Sequence, residues 1–156
     1  MRSTLIHFAA GLALAFSLPA PAAEHAHEHA SASGAQLELN QGEKWQTDEP
    51  LRRGMSNMRA ALAKDFELIH AGKASDAQYD ALAAKLNGEV AYIVQNCKLD
   101  AKADGELHKL IAELLAGAEA MQGKEAGVAR RDGAVRAANA LNTYARFFDH
   151  PGWRDL

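Results

Sequence analysis

The sequence predicts an all-α fold, an up-down-up-down antiparallel bundle of four helices, and three observations carry that expectation. No proline occurs between Pro50 and Pro151, so nothing in that stretch removes a backbone donor from a helix interior. Within it, large apolar residues recur three and four positions apart in four successive segments, which is the spacing of one helix face. Short breaks rich in Gly, Ser and Asp separate the segments, and short connections between long helices favour antiparallel neighbours. No alternating apolar segment is long enough to predict a sheet.

Residues 37–47 read as an extended strap docked by Leu37, Leu39 and Trp45. Thr47, Asp48, Glu49 and Pro50 then supply a capping side chain, an early acid and a proline in the first turn. The first helix should run to about Ala71 on a stripe of Leu51, Met55, Met58, Leu62, Phe66 and Ile69, with Gly72 ending it. Ser75 and Gln78 form a capping box for the second, whose stripe is Tyr79, Leu82, Leu86, Val90, Ile93 and Cys97. Asp100 caps the third, which presents Leu107, Leu110, Ile111, Leu114, Leu115, Ala118 and Met121. After Gln122-Gly123-Lys124, the fourth carries Val128, Val135, Ala138, Leu141, Ala145 and Phe148, and Asp149-His150-Pro151-Gly152 stops it. The bundle domain is thus residues 48–156.

The segment ahead of the strap has a different character. Arg2, a mostly apolar run from Leu5 to Leu18, and the small residues up to Ala23 have the pattern of a cleavable export signal, residues 1–23. The run is short for a membrane span of about 20 residues, and no cysteine near Ala23 offers a lipid attachment point. A periplasmic protein without a membrane anchor is expected. Residues 24–36 begin Glu-His-Ala-His-Glu-His, and His25, His27 and His29 with two carboxylates read as a disordered, metal-collecting tract or as a solvated leader.

Composition removes several functions. The net charge of −3 comes from 17 basic and 20 acidic side chains mixed along the chain, so no basic stripe exists to neutralise phosphates and no nucleic-acid partner is expected. No nucleophile–base pair or Gly-rich phosphate loop points to an enzyme. The lone cysteine, Cys97, excludes an internal disulfide.

The predicted topology gathers one set of residues. The start of the first helix, the end of the second, the start of the third and the end of the fourth share a pole, which collects Met55, Met58, Cys97, His108 and His150. Met55 should lie roughly 10 Å and His108 roughly 12 Å below their caps at about 1.5 Å of rise per residue. Both side chains tilt toward the pole while Cys97 tilts down from it, so the three can converge. Each also has a plain structural reading, as gap-filling core methionines, a small buried thiol, and histidines at the edge or end of a helix. Thiolate, thioether and imidazole together select copper.

The segment from Leu51 to Ala60, with Met55 and Met58, followed by four amphipathic helices, resembles the soluble periplasmic b-type four-helix cytochromes over about residues 48–150. That resemblance implies haem b held by a methionine of the first helix, matched by Met55 or Met58, and a histidine of the fourth. The fourth helix offers no histidine within its length, which leaves His108 as the partner for Met55. Covalent haem is excluded, because Asn96-Cys97-Lys98-Leu99-Asp100 contains no CxxCH. The segments Lys44 to Asp48, Asn96 to Leu99 and Phe148 to Trp153 also resemble exported bundle proteins without assigned chemistry, some labelled DnrO.

These observations lead to a first expectation of a copper-binding bundle for storage, delivery or electron transfer. Cys97 and His108 are its main ligands, Met55 the soft third, and Met58 or His150 auxiliary. The alternatives are a non-covalent haem protein exchanging electrons with a partner, or a metal-free helical interaction module. In the last case Arg130, Arg131, Arg136 and Arg146 of the fourth helix face an acidic partner or simply water.

Overall fold

A computed structural model describes residues 36–156. Residues 1–23, read as an export signal, and the histidines His25, His27 and His29 lie outside the described residues. The described chain is all-helical: α1 spans Glu49–His70, α2 Asp76–Asn96, α3 Ala101–Met121 and α4 Arg130–Phe147. None of these is long and apolar enough to cross a membrane.

The caps follow local chemistry. Asp48, not Thr47, caps α1, its carboxylate accepting from the Leu51 amide at 2.9 Å. Thr47 instead donates its hydroxyl to the Asp149 carbonyl. Ser75 and Gln78 close a reciprocal capping box on α2, and Asp100 accepts from the Lys102 and Ala103 amides at the start of α3. The N-cap of α4, Ala129, has no side chain to donate an acceptor, so that helix begins uncapped and Val128 precedes it.

Cross-helix bonds fix the chain directions. Arg53 reaches Tyr92 at 3.1 Å, Asn57 reaches Glu89 at 3.1 Å and Gln78 reaches Asp65 at 3.5 Å, so α2 descends as α1 ascends. Arg136 on Glu113 and Arg130 on the Met121 carbonyl set α3 against α4 in the same antiparallel sense. Ahead of α1, Trp45 is buried and exchanges backbone bonds with the end of α4, its amide on the Phe147 carbonyl and its carbonyl under the Asp149 amide, each at 2.8 Å. The indole of Trp45 donates back to the Glu38 carbonyl, which holds residues 38–45 as one folded unit beside α4.

The core is built from Leu51, Met55, Met58 and Leu62 of α1, Leu82, Leu86, Val90 and Ile93 of α2, Leu107, Leu110 and Leu114 of α3, and Leu141, Tyr144 and Phe148 at the end of the chain. Three residues assigned to stripes from the sequence are instead exposed: Phe66, Leu115 and Val135. The largest departure is in α4, whose buried face is Gly133, Ala134, Ala137, Ala140, Leu141 and Tyr144. The reason is close approach. A methyl group on Gly133 would stand 2.5 Å from the Gly117 carbonyl oxygen, so α3 and α4 touch at the backbone there. Only small side chains permit that separation, and the bulkier Val135 is turned outward.

Candidate functional site

At the pole that collects the soft ligand types, the organising group is Asp48. Its carboxylate accepts from the Leu51 amide, from the Lys98 amide at 2.6 Å and from the Cys97 thiol at 3.4 Å, tying the start of α1 to the α2–α3 turn. Burial acts to raise the Asp48 carboxyl, but these three hydrogen bonds and the Arg52 charge outweigh it and hold the group below the usual carboxylate range. The same contact acts on the sulfur in the opposite direction. Burial first, then the bond to Asp48 and the charges of Asp48 and Asp104, push the Cys97 thiol up to about 12. Cys97 is therefore a protonated donor at neutral pH, whereas the thiolate is the form that ligates metals.

The remaining candidates are dispersed. Met55 and Met58 are fully buried in the hydrophobic core. His108 turns outward with 61% of its side chain exposed, 3.4 Å from the Asp104 carboxylate. Its Nδ1 lies 2.9 Å from the backbone carbonyl of Asp104, one turn earlier. Cys97, Asp104 and His108 do line one cleft of 270 Å³ with Ile93, Val94, Leu107 and Ile111, but neither methionine reaches it. Among the described residues, no three His, Cys, Asp or Glu side chains are grouped so that they could hold one ion. The structure thus brings Cys97 to the same cleft as His108 and leaves Met55 out, whether as a copper ligand or as the haem partner of His108. The cause is the phase of α1, whose Met55–Met58 face is turned wholly into the core.

His150 is placed by a different set of contacts. Its two ring nitrogens meet the Tyr144 hydroxyl at 3.0 Å and the Ser56 hydroxyl at 3.2 Å, and the Trp153 ring lies 5.0 Å away. The imidazole joins the C-terminal turn to α1 and α4, and neither nitrogen is left free for a metal. Burial and the Arg52 charge lower its pKa, with Asp149 opposing them.

A larger concavity lies elsewhere, on the outer side of the α3–α4 pair, and sequence reasoning did not find it. It encloses 640 Å³ along α4 from Asp132 to Phe147, about 22 Å at 1.5 Å of rise per residue. Leu37, Leu110, Val135, Ala140 and Phe147 supply its apolar lining, while Asn139 and Thr143 add neutral polar groups one turn apart.

No protein-family model, curated protein or solved structure matches the chain.

Three cations border the groove, and they are not equivalent. Arg136 is paired with Glu113 at 2.8 Å. Lys109 is held by Glu106 at 2.7 Å and by the Gln36 carbonyl at 2.9 Å. Arg146, its guanidinium 6.0 Å over the Phe147 ring, has no carboxylate within ion-pair distance among the described residues. The groove therefore joins apolar lining to Arg146, which has no ion-pair partner among the described residues and shares a neighbouring pocket with Asp149 and Asp155. One sequence signal bears on it: the arginines of the fourth helix, of which Arg136 and Arg146 line the groove.

Proposed function

We propose that this chain is an exported, periplasmic binding module, an up-down-up-down bundle that takes its ligand in the α3–α4 groove. Export rests on Arg2, the apolar run from Leu5 to Leu18 and the small residues ending at Ala23. The observation that carries the binding role is the groove itself. Its 640 Å³ falls inside the range of about 300–1,000 Å³ typical of small-molecule sites, and its lining combines Leu37, Leu110, Val135, Ala140 and Phe147 with polar and charged side chains. Every buried side-chain nitrogen and oxygen among the described residues already has a partner, so the interior itself offers no donor waiting for a ligand.

A neutral fluorescent probe, N-phenyl-1-naphthylamine, tests this reading. Its emission should rise on binding and return to the free value in Val135→Glu, which places a charge in the groove. Val94→Glu, at an exposed site on α2, serves as the control and should leave the signal intact. Equal binding by both variants would remove the groove as the working surface.

Metal uptake stands as a second reading, supported by the Cys97 thiol and the His108 imidazole lining a single cleft. A soft cation there has to displace the thiol proton, so its capture should release acid and rise with pH. Copper(I) titration of the mature protein and of a Cys97→Ala, His108→Ala double variant decides it. Undiminished tight binding in the double variant would rule the cleft out.

A further inference from the structure

We propose that the mature chain begins at Ala23 and binds one copper(II) ion in a square plane of four nitrogens: the Ala23 α-amine, the backbone nitrogens of Glu24 and His25, and the His25 imidazole. The site rests on the export reading above, and owes nothing to the groove or to the Cys97–His108 cleft. It lies ahead of the described residues. Export cleavage selects small residues one and three places before the cut. Between Leu18 and Ala23, only Ala20-Pro21-Ala22 puts alanine at both places. A cut after Ala23 has Pro21 three places back, and a cut after Ala20 has Leu18 there. Cleavage after Ala22, one residue short of the boundary at Ala23, frees an amine with His25 as the third residue. The bonds of the described fold are made within residues 36–156, so loss of the leader takes none of them away.

The spacing sets the chemistry. Two carbon atoms separate the amine from the Glu24 nitrogen, two separate that nitrogen from the next, and three separate the His25 backbone nitrogen from its ring Nδ1. The segment therefore closes two five-membered rings and one six-membered ring about a single ion. A histidine in second place supplies one backbone nitrogen fewer and leaves the fourth corner to water. A square plane of nitrogen suits copper(II) and nickel(II), of which copper binds more tightly, whereas zinc prefers a tetrahedron. Binding releases the two amide protons and any proton on the amine, whose pKa is about 7.7–8.0. The two amide anions balance the charge of the ion, and no electron is transferred. Among the described histidines, His70 stacks on Phe66 at 6.1 Å, and His108 meets a carbonyl of its own helix at 2.9 Å. His150 uses both ring nitrogens on Tyr144 and Ser56, so none of the three repeats this arrangement.

The experiment expresses the full chain with its leader, purifies the exported protein, measures its intact mass and titrates it with copper(II). The mass should correspond to residues 23–156. One equivalent of copper(II) should give a violet absorption, at shorter wavelength than the blue of an ion held by imidazoles and water. His25→Ala, with the same cut verified by mass, should weaken that equivalent about a hundredfold. The His27→Ala, His29→Ala double variant and the Cys97→Ala, His108→Ala double variant should both keep it. A mass that begins at Glu24 leaves export standing and overturns the site, because His25 then comes second. An uncleaved mass overturns export and the site together. Full affinity in His25→Ala, or its loss in either double variant, also overturns the four-nitrogen plane, while the neutral-probe result for the groove stands apart from all of these.

Discussion

Gly117 of α3 and Gly133 of α4 face each other so closely that neither position has room for a methyl group. A Cβ on Gly117 would stand 2.8 Å from the Gly133 carbonyl oxygen, and one on Gly133 would meet the Gly117 oxygen at 2.5 Å and the Met121 amide nitrogen at 2.6 Å. These neighbours are backbone atoms, which cannot rotate away. Gly117→Ala and Gly133→Ala should therefore each destabilise the fold by about 1–3 kcal/mol, as overpacking does, despite alanine's better helix propensity. Gly88→Ala and Gly105→Ala meet nothing within 4 Å, so they should stabilise it by about 0.5–1 kcal/mol. Urea midpoints of the four variants check the contrast, and equal effects at all four sites would disprove the close contact.

The same pair explains what the sequence disclosed and what it concealed. Four helices with their breaks were legible because caps and periodicity are local: Ser75 with Gln78, Asp100 and the proline-free stretch need no tertiary information. The buried face of α4 was concealed because it is made of glycine and alanine. A hydrophobic stripe is recognised by its large residues: Leu141 and Phe148 are buried as their spacing predicts, but Val135 is exposed, and Tyr144, a fully buried residue, was passed over. The site was less legible still. Chain direction brought Cys97, His108 and His150 to one pole, but side-chain orientation depends on a rotation about each helix axis that spacing alone does not fix. That rotation turned His108 outward and Met55 inward. The α3–α4 groove exists only through the packing of three separate segments, so no single stretch of sequence announces it.

Asp48 should behave as a structural clasp. Asp48→Ala removes a helix cap and an acceptor for the Lys98 amide, and a loss of about 1–2 kcal/mol is expected. Asp48→Asn keeps an acceptor and should lose less. Both changes remove the negative charge that disfavours the Cys97 thiolate. Alkylation by iodoacetamide at pH 8 should be slow in the wild type relative to the urea-unfolded chain, and several-fold faster in Asp48→Asn. A variant with the wild-type rate would show that burial alone protects the sulfur.

Met55 and Met58 separate packing from coordination. Both are fully buried within the hydrophobic core. Met55→Leu and Met58→Leu, close to volume-conserving, should cost under about 1.5 kcal/mol, whereas Met55→Ala should cost about 2–5 kcal/mol. If the sulfurs only fill space, any copper(I) affinity of the protein will survive the double leucine substitution. A large drop in that affinity, with the thermal midpoint unchanged, would instead make the thioethers ligands.

His150 gives the fold a pH dependence of defined sign. Burial, followed by the Arg52 charge, lowers its pKa, and Asp149 only partly opposes them. In the unfolded chain the imidazole takes up a proton as the pH falls through about 6.5, while in the folded chain it does so only at lower pH. Between those points the unfolded state binds more protons, so stability declines as the solution is acidified. One group cannot produce a slope steeper than about 1.4 kcal/mol per pH unit. His150→Gln retains a side chain able to bond Tyr144 or Ser56 but cannot titrate. Comparing urea midpoints at pH 7.5 and pH 5.5 should therefore show a smaller acid-induced loss in the variant than in the wild type. Parallel losses in the two proteins would transfer the effect to other groups and deny His150 this role.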